Sequence, residues 1–181
     1  LAGKDIVFFE YLYDEAYPDE TIALHTDITD EGQTLHFPEI HTTFTDNKTG
    51  DHISLAEKEV TQVDKVEYSN LVPGLTYKVS GKLVFKDNGE VVKDADGKEV
   101  TAETTFVPEK ASGTVDIVFK YNASLLAGKS VVAFEDVHYN DRLVTSHADI
   151  TDEGQTIDFP EIHTTFTDNK TGEHISLAEK E

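Results

Sequence analysis

VTQVDKVEYSNLVPGLTYKVSGKLVFKDNG, residues 60–89, reads as two β-strands, each followed by a turn. Apolar and β-branched residues alternate with polar ones through each run, the period of a half-buried strand. Val72-Pro73-Gly74 punctuates the first run, and Asn88-Gly89 supplies the positive φ angles of a tight hairpin after the second. Working outward, runs of the same kind lie near 39–45, 90–106, 114–121, 130–138, 142–148 and 155–159, with a further turn at Asp96-Gly97. Many short strands at even spacing with turn residues between them predict an all-β, immunoglobulin-like β-sandwich. Asn122–Leu126 is the one segment that reads as a short helical turn.

The chain also repeats itself. Residues 24–59 return at 146–181 with five of 36 positions changed, and LAGKDIVFFE at residue 1 returns as LAGKSVVAFE at Leu126. The two offsets give a unit of 122 to 125 residues, the size of a domain and not of a solenoid repeat. The expected organisation is therefore a tandem array: residues 1–37 as the C-terminal part of one repeat, 38–159 as a complete repeat, and 160–181 as the N-terminal part of the next. Proline after phenylalanine at Phe37-Pro38 and Phe159-Pro160 stiffens each junction and removes a ladder donor, so neighbouring repeats are expected to form a semi-rigid rod without shared strands.

Composition narrows the function. A net charge of -21, spread along the chain, disfavours nucleic acid and anionic membrane surfaces as partners. No run is apolar for long enough to cross a bilayer as a helix. With no cysteine there is no disulfide and no thiolate nucleophile, so reinforcement of an extracellular sandwich would have to come from the core or from other covalent chemistry. No cofactor motif is evident, and a turnover enzyme ranks behind a structural or binding module.

The polar residues that stand out are few. His147, Asp149, Asp152 and Gln155 form the densest cluster, copied at His25, Asp27, Asp30 and Gln33; Thr42 and Thr43 sit in the first strand of the complete unit. Asp64 and Glu135 are carboxylates set into apolar strands, where desolvation raises the pKa and favours the protonated form. Each has a bland alternative: strand threonines are ordinary β-formers, a histidine is more often structural than catalytic, and Asp149, Asp152 and Glu153 form either a solvated acidic turn or, with spacing that fits no calcium loop, a calcium site. The remaining histidines, including His41 and His163, show no zinc spacing.

In combination these motifs resemble the VaFE-type repeat domains of Gram-positive surface adhesins. The likeness rests on the Thr42-Thr43 pair, the stretch from Asp64 to Tyr77 (D-x-V-x-Y-x-N-L-x-P-G-x-x-Y), Val132-Ala133-Phe134-Glu135, and the H-x-D-x-x-D-x-x-Q series from His147 to Gln155. It implies an immunoglobulin-like domain with a self-generated ester between Thr42 and Gln155, assisted by His147, Asp64 and Glu135. Glu10, His25, Gln33 and Thr164 would be the equivalents in the partial repeats. The paired threonines leave the choice of Thr42 over Thr43 open.

Physical chemistry is compatible with that implication. Holding a hydroxyl and a carboxamide in one fold replaces a bimolecular encounter by a near-attack geometry. His147 could take the hydroxyl proton, and a protonated Asp64 or Glu135 could polarise the carboxamide. Closing a loop of roughly 100 residues is worth about 4 to 5 kcal/mol in the chain-entropy model. The reaction would occur once per molecule, without turnover or cofactor. The resulting expectation is a stalk module of an extracellular, cell-wall-anchored bacterial adhesin, whose partners are adjacent repeats and whose host ligand is bound elsewhere. The alternative is a module that itself binds a host protein or glycan, with calcium as a possible requirement and no cross-link.

Overall fold

A computed structural model describes residues 1–174. Residues 175–181, within the segment expected to open a following repeat, lie outside the described residues. Among the described residues, twelve strands run in the order β1 (Asp5–Val7), β2 (Glu10–Tyr13), β3 (Thr21–His25), β4 (Thr34–His36), β5 (Glu39–Asp46), β6 (Val60–Ser69), β7 (Tyr77–Phe85), β8 (Thr101–Phe106), β9 (Gly113–Tyr121), β10 (Ser130–Tyr139), β11 (Arg142–His147) and β12 (Thr156–Asp158). Short 3-10 turns at Glu31–Gln33 and Glu153–Gln155 precede β4 and β12.

Strands β5 to β12 build the immunoglobulin-like sandwich. One sheet has the order β5-β6-β9; the other has the order β11-β10-β7-β8, with β12 also paired to β10. All pairings within them are antiparallel. Strict alternation decides what lies between the sheets: Ile40, Phe44, Val66, Tyr68, Val79, Leu83, Ile117, Phe119, Val131, Ala133 and Val137 form the core. Phe44 and Phe119 meet edge to face at its centre, with ring centroids 5.5 Å apart.

Residues 1–37 reproduce part of this pattern. Asp5–Val7 pair with Thr34–His36 in the register of Ser130–Val132 with Thr156–Asp158, and Glu10 faces His25 as Glu135 faces His147. The faces of β2 and β3 are exposed, whereas β10 is buried against the opposing sheet. The three-residue difference between the repeat offsets lies in the β2–β3 hairpin, which is longer than its counterpart between β10 and β11.

Four local expectations are corrected. Residues 90–106 do not form one strand: Asp94 Oδ1 accepts the N–H groups of Asp96 and Lys98 and breaks the run with a turn, so that only Thr101–Phe106 is a full strand. At Asn88-Gly89, Gly89 alone takes a positive φ (72°) and its N–H reaches back to the Phe85 carbonyl, making a four-residue loop. The two-residue hairpin with both φ angles positive is at Asn140 (48°) and Asp141 (61°), between β10 and β11. Asn122–Leu126 makes a single turn, and the 3-10 segments lie elsewhere, one of them carrying Gln155 just before the strand expected to contain it.

Candidate functional site

Alternation along β5 turns Ile40, Thr42, Phe44 and Asp46 inward and leaves His41 and Thr43 exposed. On β6 the same rule buries Asp64, opposite Phe44 in the β5–β6 register, and on β10 it buries Glu135, opposite His147 of β11. The turn at Glu153–Gln155 packs against β5 and buries Gln155. Five residues distant in sequence are thus gathered where the edge strand of one sheet meets the end of the other.

Their contacts are specific. Thr42 Oγ1 donates to Glu135 Oε2 at 3.4 Å, and Gln155 Nε2 donates to Asp64 Oδ1 at 3.3 Å. Among the described residues, Asp64 Oδ2, Glu135 Oε1 and the Gln155 carbonyl oxygen Oε1 receive no hydrogen bond from any N–H or hydroxyl. A proton carried by one carboxyl and accepted by the other satisfies both unpartnered carboxyl oxygens. Burial pushes both pKa values above the usual carboxylate range. For Glu135 the Asp64 charge adds to the rise, to about 11; for Asp64 the hydrogen bonds to Glu135 and Gln155 and the nearby His147 oppose it. The pair therefore holds a proton at neutral pH.

His147 is half-buried, and its Nε2 lies 2.9 Å from Asp152 Oδ2. Asp152 also caps the 3-10 turn, Oδ1 accepting from the Gly154 N–H at 2.7 Å, while its carbonyl accepts from the Gln155 N–H and the Thr156 hydroxyl. One residue thereby ties the histidine to the turn that presents Gln155. Asp149 is engaged in the same local manner, Oδ1 accepting from Thr151 N–H and Oγ1, and these bonds hold its carboxyl below the usual range. No group of three or more His, Asp or Glu side chains with metal-binding geometry occurs among the described residues.

The residues copied at 1–37 and at 164 are not gathered in this way. Glu10 and Thr164 are exposed and Gln33 is partly buried, although His25 keeps its contact with Asp30 at 2.7 Å. Gly81 is a site residue absent from the sequence reading. It faces Glu135 across the β7–β10 ladder, and a Cβ there would stand 2.7 Å from the Phe119 ring. Its signal was a glycine inside an alternating strand, which marks a close approach. The missing side chain lets the Phe119 ring approach β7 at the position paired with Glu135.

Two solved structures of a bacterial adhesin from Mobiluncus mulieris, described as containing intramolecular disulfide, isopeptide and ester bond cross-links, are similar to this chain in fold. Their TM-scores are 0.53 and 0.54 at 17% and 16% identity, with 69% of this chain and 58% of the adhesin chain covered in each case. The chain thus spans little more than half the length of those structures. No curated protein matches. A family model matches at residues 1–37 and again at 38–159, and by that match the chain belongs to the T-Q ester bond containing domain family.

Proposed function

We propose that residues 38–159 are a structural module of a bacterial cell-surface adhesin, reinforced by a self-made ester between Thr42 and Gln155. The observation that carries this reading is that the two side chains are buried on either side of one carboxyl pair, Thr42 bonded to Glu135 and Gln155 to Asp64. Family membership and the adhesin fold likeness support it.

The pair acts as a proton relay. Thr42 Oγ1 attacks the Gln155 Cδ while its proton passes to Glu135; the proton held between the carboxyls shifts to Asp64; and Asp64 protonates the departing Nε2. Collapse of the tetrahedral intermediate leaves the Oγ1–Cδ ester and free ammonia, with the carboxyl pair restored. His147, opposite Glu135, favours ionised Asp64 by its charge and so eases proton release to the leaving nitrogen. On this reading the Thr43 side chain, turned to solvent, is not the nucleophile, while its backbone hydrogen bond favours ionised Asp64. Since two side chains are consumed once, this is maturation and not turnover, and it needs no cofactor.

As a module of this kind the chain would sit outside the cell, in an array anchored at the cell wall, carrying a ligand-binding domain away from the surface. Intact mass spectrometry tests the chemistry: the parent chain is expected to weigh one ammonia less than its sequence, and Thr42→Ala and Gln155→Ala each to weigh the full sequence mass. A parent chain at full mass after prolonged incubation would rule out the ester.

A further inference from the structure

The junction between residues 1–37 and the sandwich carries contacts that the proposed ester chemistry does not use. Asn70, at the end of β6, donates from Nδ2 to the main-chain carbonyl of Phe37 at 3.2 Å. It does so from a left-handed backbone conformation (φ 59°), which is costly for any residue with a side chain and least so for asparagine. On the other side of the proline, the Glu39 carboxylate lies directly against Gly3, which also has a positive φ (65°), so that a side chain at that glycine would overlap it.

The second junction repeats the contact between glycine and glutamate. Gly128, the counterpart of Gly3 in the recurring LAGK turn, has φ 74° and lies against the carboxylate of Glu161, the counterpart of Glu39. Its turn is closed onto the end of the sandwich, the Gly128 N–H donating to the Phe159 carbonyl at 2.8 Å and the Phe159 N–H to the Lys129 carbonyl at 2.9 Å. In each case a glutamate one residue past the proline rests on the glycine turn of the repeat before it. Proline alone fixes one dihedral of the connection. These contacts lie on either side of it and constrain the rotation that proline leaves free.

We propose that the end of the sandwich formed by Asn70 and Glu39 is a docking surface for the preceding repeat, gripping it by the Phe37 carbonyl and the Gly3 turn so that consecutive repeats keep a fixed angle. The partner is a second copy of the same fold within the chain, recognised through main-chain atoms and a glycine turn. The docking contacts do not depend on the ester.

The absence of cysteine makes the test clean. Nitroxide labels at Asp19→Cys and Lys110→Cys, both exposed positions, report the distance between residues 1–37 and the sandwich in the full chain by electron–electron resonance. The parent is expected to give one narrow distribution. Asn70→Gly, which keeps the left-handed backbone and deletes the carboxamide, combined with Glu39→Ala, is expected to widen it roughly twofold, because relative motion is the default for small interfaces between domains. A melting curve for the double variant matching the parent's shows that the sandwich persists. A broad distribution in the parent, or an unchanged width in the double variant, overturns the docking surface.

Discussion

Pulling the chain from its two ends is the most direct trial of a Thr42–Gln155 bond. Thr42 lies three residues beyond the start of β5 at Glu39, and Gln155 lies three residues before the end of β12 at Asp158. The two side chains are 113 residues apart in sequence. With an ester in place, force entering at Glu39 passes through Thr42, the ester and Gln155 to Asp158, and everything between is shielded. Without it, unfolding releases roughly 380 Å of chain, at about 3.4 Å per extended residue. Thr42→Val removes the hydroxyl with little change of shape. In single-molecule force spectroscopy that variant is expected to show a sawtooth event with about this contour gain, absent from parent molecules that have lost ammonia. The same closure is worth about 5 kcal/mol by loop entropy, so the variant is also expected to unfold at much lower denaturant. Parent molecules of ammonia-depleted mass that still lengthen by the full amount would refute the force path and with it the placement of the bond.

Two further outcomes concern the carboxyl pair and Gly81. Burial and the Asp64 charge raise Glu135 to about 11, so the folded chain keeps a proton that the unfolded chain releases above about pH 4.3. Over that window the folded state binds more protons, and its stability is full below the unfolded value and declines as pH rises toward the folded one. Thr42→Val, which cannot cross-link, is therefore expected to melt lower at about pH 9 than at about pH 5, and adding Glu135→Gln to flatten the difference; a melting temperature that climbs across this range would contradict the assignment. Gly81→Ala pushes a methyl into the fully buried Phe119 ring, so that the ring or the strand must shift. A loss of about 1 to 3 kcal/mol in denaturant unfolding and slower ammonia release by timed mass measurement are expected, and unchanged values for both would show that the close packing there is immaterial.

Much of this site could be read from alternation. Ile40 and Phe44 are apolar at even positions of EIHTTFTD, so Thr42 shares their face and Thr43 does not, a distinction the sequence already contained. Asp64 and Glu135 announced their burial by the valines, alanine and phenylalanine around them. What no single strand could reveal was which carboxyl meets which reactant, because that depends on how the β5-β6-β9 sheet sits over β10 and on where the 3-10 turn docks. Gly81 was overlooked for a related reason: its meaning lies in the ring of Phe119 on the opposite sheet. The stretch 90–106 misled because Val91, Val92 and Val100 outweigh, in a pattern count, the one Asp94 carboxylate that turns the backbone.

The chain contains its own control for the balance between local and distant causes. DITDEGQT occurs twice, and Asp30 and Asp152 each cap the same 3-10 turn through the glycine N–H, in nearly identical backbone conformations. EIHTTFTD also occurs twice, yet it is strand β5 at 39–46 and forms no strand at 161–168. Ile40 and Phe44 are 4% and 0% exposed, while their counterparts Ile162 and Phe166 are 86% and 92% exposed. A capped turn closes with bonds inside itself; a strand needs a neighbour to satisfy its ladder and a facing sheet to bury its side chains. The half of the device that carries the glutamine is therefore set by local sequence, and the half that carries the threonine is set by β6 and the opposing sheet. On the proposed chemistry this imposes an order, since Thr42 reaches the carboxyl pair only after β5, β6 and β10 have assembled. An ester formed under that constraint seals a sandwich that is already complete and cannot trap one that is half made.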